Sequence, residues 1–170
     1  MTRYRIVPER SRVWIEARSN VHPIHSSTDG LDGHVELELD EHGRVDSSVK
    51  PSARVSLPVA RLSSGNRLEE RELKKRIDAK RFPVIDGLLD TIAGGEDGHY
   101  QVSGDVTFRG VTRRHEDLMT VEKVDASTIQ LAGSSRFDIR DFGMEPPRIL
   151  VLRVEPEVDV RVEILAVQEG

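Results

Sequence analysis

The chain contains no cysteine. A disulfide framework, a thiolate nucleophile and a zinc–thiolate centre are therefore excluded. Aromatic residues make up only 4% of the sequence, so a buried ligand would meet mostly aliphatic side chains. Basic charge is not in excess. The net charge is −5 and the isoelectric point near 5.7, which argues against a nucleic-acid partner, since that binding wants a basic face. No apolar run approaches the roughly 18 residues of a membrane-crossing helix. The N-terminal stretch MTRYRIVPERSRVWIEARS carries a charge every few residues and lacks the apolar segment of a signal peptide. A cytoplasmic protein is the expectation, unless a leader has been removed. Linkers, low-complexity segments and internal repeats are absent. The 170 residues therefore read as one domain spanning 1–170, long enough to bury a core without staples.

What is present is alternation. Val13, Ile15 and Ala17 fall on one face of Arg12–Arg18, and Trp14, Glu16 and Arg18 on the other. That period of two marks a half-buried strand. Trp14 on the polar side is unusual and suits a barrel rim or a partner surface. Ser19–Gly33 is a long loop or an irregular strand pair. Val35–Leu39, Ser52–Leu57, Val84–Ile92, Tyr100–Phe108, Arg113–Val121, Thr128–Ser134 and Leu150–Val167 follow as strands. Turn residues such as Gly94-Gly95 and Arg109-Gly110 separate them. One segment breaks the pattern. Residues 66–79 have helical spacing, with Ser63 or Ser64 as cap and Glu69-Glu70 in the first turns. Glu70 and Lys74 form an i,i+4 pair, and Leu68, Leu73 and Ile77 make a thin apolar stripe. Pro83 ends the segment. The reading is a mainly β, antiparallel barrel of about eight strands, lidded by one helical crossover.

Four stretches carry a family resemblance. Tyr4-Arg5-Ile6-Val7-Pro8 with Ser11-Arg12-Val13-Trp14-Ile15 opens the chain. Leu62-Ser63-Ser64-Gly65-Asn66 with Arg71, Leu73 and Phe82-Pro83-Val84-Ile85 forms the crossover. Gly104-Asp105-Val106-Thr107-Phe108-Arg109-Gly110-Val111-Thr112-Arg113 forms a strand and turn, and Phe137 to Met144 contains Asp141-Phe142-Gly143. Together and in this order they resemble the YceI-like family, lipocalin-like barrels that bind polyisoprenoids or related lipids. Two departures stand out. Ile139 occupies the position of a usual arginine, with arginine at Arg140 instead, and the loop VHPIHSSTDG is unusually polar. The resemblance implies a barrel open at one end that holds an elongated apolar molecule, with no catalytic residues and no cofactor.

Alternation nominates the lining independently. The expected ligand-contacting residues are Ile15, Ala17, Val35, Leu37, Val55, Ile85, Leu89, Val102, Val106, Phe108, Phe137, Val160 and Val162, with Val13, Ala53 and Ile164 also inward and Leu73 and Ile77 contributed by the helix. Aliphatic walls suit an aliphatic chain, since the contact is dispersive. Small barrels also fill their interiors with such side chains, so the residues alone leave carriage and a solid core both open. Beyond Gly110, either His115, Asp117 and Met119 or Glu116, Leu118 and Thr120 face inward. A bulge at Gly110 gives the second register and places Leu118 in the core.

Other chemistry has weaker support. His22 and His25 with Asp29 and Asp32 lack a rigid metal-binding frame, so no metal is expected. No GxSxG elbow marks Ser63 or Ser64 as a nucleophile, and no glycine pair leads a strand into a helix as a phosphate loop requires. The basic residues Lys74, Lys75, Arg76, Lys80 and Arg81 form a solvated helix face that also permits transient contact with an anionic membrane surface. The expected function is to carry or sequester a long isoprenoid or other lipid. The alternative is a filled barrel acting through its surface, as a homodimer or a stress-response scaffold. An enzyme would need polar groups such as His115 and Asp117 converging inside the barrel.

Overall fold

The period-two segments become strands in a computed structural model covering residues 1–170. They are β1 (Thr2–Ile6), β2 (Arg12–Ser19), β3 (Ile24–Asp29), β4 (Asp32–Leu37), β5 (Ser52–Pro58), β6 (Val84–Gly94), β7 (His99–Phe108), β8 (Val111–Lys123), β9 (Thr128–Asp138), β10 (Arg148–Ile149) and β11 (Leu152–Gln168), with α1 at Arg67–Ile77. Eight of them close an antiparallel barrel in the order β1-β4-β5-β6-β7-β8-β9-β11, and β11 returns to β1. This is the expected architecture. The Ser19–Gly33 stretch is the irregular strand pair of the two alternatives: it supplies all of β3 and the start of β4.

Closure depends on the length of β11. Its C-terminal Ala166–Gln168 pairs with β1, while its middle pairs with β2. The chain breaks between these two strands at Pro8, which opens a short 3-10 turn through Arg10. The outer edge of β3 has no neighbouring strand. Instead Ser27 and Ser63 exchange two backbone hydrogen bonds of 3.0 and 3.1 Å. The crossover thereby covers an edge that would otherwise be exposed.

The barrel interior divides in two. One end is solid: Tyr4, Ile6, Val35, Leu37, Ile92, Tyr100, Val102, Val121, Ile129, Leu131, Ile164 and Ala166 form one continuous cluster. Tyr100 is 2% exposed, and its hydroxyl accepts a 2.9 Å hydrogen bond from the Val45 N–H. A second cluster of Val59, Leu62, Ile77, Ile139 and Met144 lies at the other end. There α1 and the segment after β9 pack together as a cap.

The helix differs in detail from its sequence reading. It is shorter, at Arg67–Ile77, and Asn66 caps it rather than Ser63 or Ser64. The Asn66 side chain accepts from the Leu68 and Glu69 N–H groups at 3.0 and 3.1 Å. Glu70 does not reach along the helix to Lys74. It turns back and accepts from the Ser63 hydroxyl and from the Ser64 and Gly65 N–H groups. The backbone N–H of Ser64, then the Ser63 hydroxyl, hold its carboxyl below the ordinary 4.5. The helix ends at Asp78, whose φ of 59° is left-handed. Leu68 stays 50% exposed, because residues five apart in a helix do not share a face. The row facing inward is Glu69, Leu73 and Ile77, at spacings of four.

The register after Gly110 is also decided. Arg109 and Gly110 have φ of 52° and 74°, the two-residue hairpin in which both central positions are left-handed. Such a turn adds no bulge, so Phe108 sits directly opposite Val111 and Gly104 opposite His115. His115, Asp117 and Met119 therefore face inward. The bulged register is not formed, and Leu118 is exposed at 57%.

Candidate functional site

Between the solid end and the cap lies a cavity of about 250 Å³. Nineteen of its 23 lining residues are hydrophobic. They come from β2, β3, β5, the crossover, β6, β7, β9, β11 and the segment 139–149. Each strand presents every second residue, so the walls are continuous although no linear motif defines them. Glu69 is the only charged residue in the lining. Its side chain is almost buried and lies 3.6 Å from His22. Phe108, Phe137 and Phe142, three of the four phenylalanines, form one wall, with ring centroids 5.7 Å apart for Phe108–Phe142 and 6.4 Å for Phe137–Phe142. The lining is thus less purely aliphatic than composition suggests.

The nominated residues divide between cavity and core. Ile15, Ala17, Leu73, Ile77, Ile85, Val106, Phe108, Phe137 and Val160 line the cavity, as does Val13. Val35, Leu37 and Val102 are instead inside the solid cluster, and Val55, Leu89 and Val162 pack against it. Ile164 is also in that cluster, with Ala53 against it. All are inward, as alternation dictates. Alternation reports the face of a strand but not the height along the barrel axis, so it does not separate a filled end from an open one. The lining also contains Leu57, which alternation places inward on its strand, and residues that alternation does not nominate: Ile24, Ser26, Leu62, Ser64, Glu69, Ile139, Phe142, Met144, Pro147, Ile149, Val154 and Val158. Glu69 was findable from its spacing of four to Leu73 and Ile77. The irregular segment 139–149 has no period to read. Its Ile139 is buried in the cap while Arg140 turns outward to Asp138 at 2.6 Å. The departure from the family pattern at Ile139 therefore gives the cavity an aliphatic wall residue.

A polar cluster borders this wall. The β8–β9 ladder ends at Leu118–Ser134, and beyond it the two strands diverge. Three inward side chains bridge the fork. His115 Nε2 is 3.0 Å from the Ser135 hydroxyl, Ser135 donates to Asp117, and His115 and Asp117 are 3.8 Å apart. The His115 ring stacks on Phe137 at 4.2 Å. Ser135 sits opposite Val160 of the cavity wall. Asp117 and Ser135 approach the same imidazole nitrogen. The arrangement therefore lacks the relay of a hydrolytic triad, in which the carboxylate holds the other nitrogen. It does offer a set of hydrogen-bonding groups at the edge of an apolar space. Ser26 on the opposite wall adds a buried hydroxyl.

The outer surface answers two sequence-level questions. Trp14 is covered by the guanidinium of Arg161, 4.3 Å from its ring and directly across the β2–β11 ladder, a cation–π pair. His22 and His25 do not converge. His22 meets Glu69, and His25 lies 3.8 Å from Glu16.

Comparison with known proteins places this geometry. No curated protein matches the sequence. Among solved structures, BcnA of Burkholderia cenocepacia superimposes with a TM-score of 0.77 at 17% identity, covering 94% of this chain and 98% of that one. A polyisoprenoid binding domain from Saccharophagus degradans, implicated in plant cell wall breakdown, gives 0.77 at 13% identity, covering 99% and 100%. The YCEI protein of Campylobacter jejuni gives 0.65 at 13% identity, covering 85% and 84%. At these identities the likeness is one of fold. The sequence match is to the YceI-like domain over residues 4–166, nearly the whole chain, and on that match the protein belongs to the YceI-like family.

Proposed function

We propose that this barrel binds the apolar chain of an isoprenoid or related lipid and carries or sequesters it without chemical change. The observation that supports this best is the cavity of about 250 Å³ with its almost wholly hydrophobic lining. The polyisoprenoid-binding domain of the same fold points the same way. At about 30 Å³ for a water-sized group, the space takes roughly eight methylene-sized groups. Burying eight methylenes yields on the order of 6 kcal/mol before the costs of association. A longer polyisoprenoid therefore threads part of its length past the cap, or displaces α1 as it enters.

The head group is constrained by charge. Glu69 and Asp117 are the acidic groups in and beside the cavity, and no lysine or arginine lines it. An anionic head would be repelled in a poorly solvated space. An uncharged hydroxyl or carbonyl has partners in His115, Ser135 and Ser26. Trp14 gives the surface-acting alternative little support, since its ring is covered by Arg161.

The test is solvent extraction and native mass spectrometry of the purified protein, followed by calorimetric titration with isoprenoid alcohols of ten carbons and more. One bound apolar molecule per chain, or saturable affinity in the titration, is expected. Absence of both overturns the proposal.

A further inference from the structure

Nine large hydrophobic residues are prominently exposed, and four of them gather at one end of the barrel. Leu150 and Val151 are the most exposed, at 86% and 79%; Val21 is 59% and Leu68 50%. Leu150 and Val151 form the turn between β10 and β11, where Ile149 pairs with Leu152. Asn20 ties this turn to the β2–β3 hairpin. Its amide donates to the Val151 carbonyl at 3.0 Å, and its carbonyl oxygen accepts from the Arg153 N–H at 2.6 Å. Val21 is the next residue. His22 then reaches Glu69 of α1, immediately beside Leu68. Two turns and the first turn of α1 are thus joined by named contacts, and each presents an aliphatic side chain to solvent. The end is the hollow one, since Pro147, Ile149 and Glu69 line the cavity.

Turn chemistry does not account for these residues. Leu150 has a φ of 56°, a left-handed position that glycine or asparagine takes easily and leucine does not. A β-branched valine follows it. Local stability would favour a polar, flexible pair at such a turn. A sequence that breaks a local rule without a packing gain marks a functional position.

Charge selects the partner. Arg148 and Arg153 stand opposite each other on the rung below the tip, and Arg67 and Arg71 flank Leu68 on α1. None of the four has a carboxylate within 4.0 Å, although thirteen arginine–carboxylate pairs occur in the molecule. Of the nearby acids, Glu69 pairs with His22, Glu70 accepts from Ser63 and Ser64, Glu72 and Glu145 pair with Arg76, and Glu155 is left against this positive set. Protruding aliphatic side chains backed by unpaired arginines fit a fluid anionic lipid surface. The aliphatic groups enter the acyl boundary while the guanidinium groups meet phosphates.

We propose that the tip Leu150-Val151, with Val21, Leu68 and the four arginines, docks the hollow end of the barrel onto anionic membranes. Cargo then passes between bilayer and cavity without crossing water. The docking stands on the exposed residues alone, and the transfer step rests on the lipid-carrying reading above.

The experiment is flotation of the intact protein with phosphatidylcholine vesicles and with vesicles containing one quarter phosphatidylglycerol. It compares wild type, the double variant Leu150→Asp with Val151→Asp, and Arg148→Glu with Arg153→Glu. Wild type should float with the anionic vesicles, less at high salt, and little with neutral ones. Each double variant should lose tenfold or more of its partitioning while its thermal midpoint stays within a few degrees. A Val151→Trp variant should shift its fluorescence to the blue on vesicle addition. Wild-type failure to float, equal flotation of the aspartate variant, or an unshifted tryptophan overturns the proposal. So does a concentration-dependent dimer abolished by the same substitutions, which assigns the surface to a second copy of the chain. Titration with soluble ten-carbon isoprenoid alcohols separates the two readings. Retained binding in the aspartate variant leaves the cavity proposal intact whatever the vesicles show.

Discussion

Ala17→Phe tests the cavity most directly. Ala17 lies on β2 opposite Val158, and both line the cavity. A phenyl ring adds six carbons, roughly 150 Å³ at slightly less than the ~30 Å³ of a water-sized group. It would leave about 100 Å³ of the original 250 Å³, room for roughly three methylene-sized groups instead of eight. Five displaced groups at about 0.8 kcal/mol each come to ~4 kcal/mol, more than a hundredfold in affinity at about 1.4 kcal/mol per decade. The ring fills a void and not a packed core, so stability should hold or rise. Calorimetry with a ten-carbon isoprenoid alcohol and thermal unfolding by circular dichroism read the two effects. A change in affinity below threefold with an unchanged midpoint would refute the assignment of the cavity as the binding site.

Three further outcomes are expected. Leu73→Asp puts a charge on the inward row of α1 and should speed ligand release about tenfold or more in stopped-flow displacement; unchanged retention and stability would reduce the helix to a connection. Glu70 has a folded pKa below its ordinary 4.5, so its contribution is complete above that value and lost as pH falls through the lower, folded one. The stability difference between wild type and Glu70→Gln in urea should be constant near neutrality and shrink below about pH 4.5, and a difference undiminished at pH 3 would contradict the capping role. Tyr100→Phe leaves the Val45 N–H buried without its acceptor and should cost about 1–3 kcal/mol by urea unfolding, with affinity for apolar ligands unaltered because the site lies in the solid end.

The fold was legible because its signals are local. Alternation assigns Val13, Ile15 and Ala17 to one face whatever surrounds them, and Pro83 stops the crossover through backbone chemistry within a few residues, although the cap is Asn66 and not Ser63 or Ser64. The turn at Arg109-Gly110 was also local, but the bulge reading overlooked that two left-handed positions complete a hairpin without an extra residue. Of the two registers open after Gly110, the structure forms the one with His115, Asp117 and Met119 inward. Leu68 is five residues from Leu73 and shares no face with it, whereas Glu69, at four, turns inward despite its charge.

The cavity was legible only in part. Sequence alone determined that the chain builds antiparallel strands with one apolar face each and a single helical crossover, since each follows from short-range periodicity, whereas closure into a barrel needs the pairing of β11 with β1. Only tertiary structure decided where along the axis the interior is full. Val102 and Val106 share a strand, a face and a residue type, yet Val102 is core and Val106 is cavity wall. The difference comes from what other elements bring to each height, Tyr4 of β1 and Ile129 of β9 at one end and the α1 cap at the other. Such opposition joins residues far apart in the chain, and no periodicity carries it.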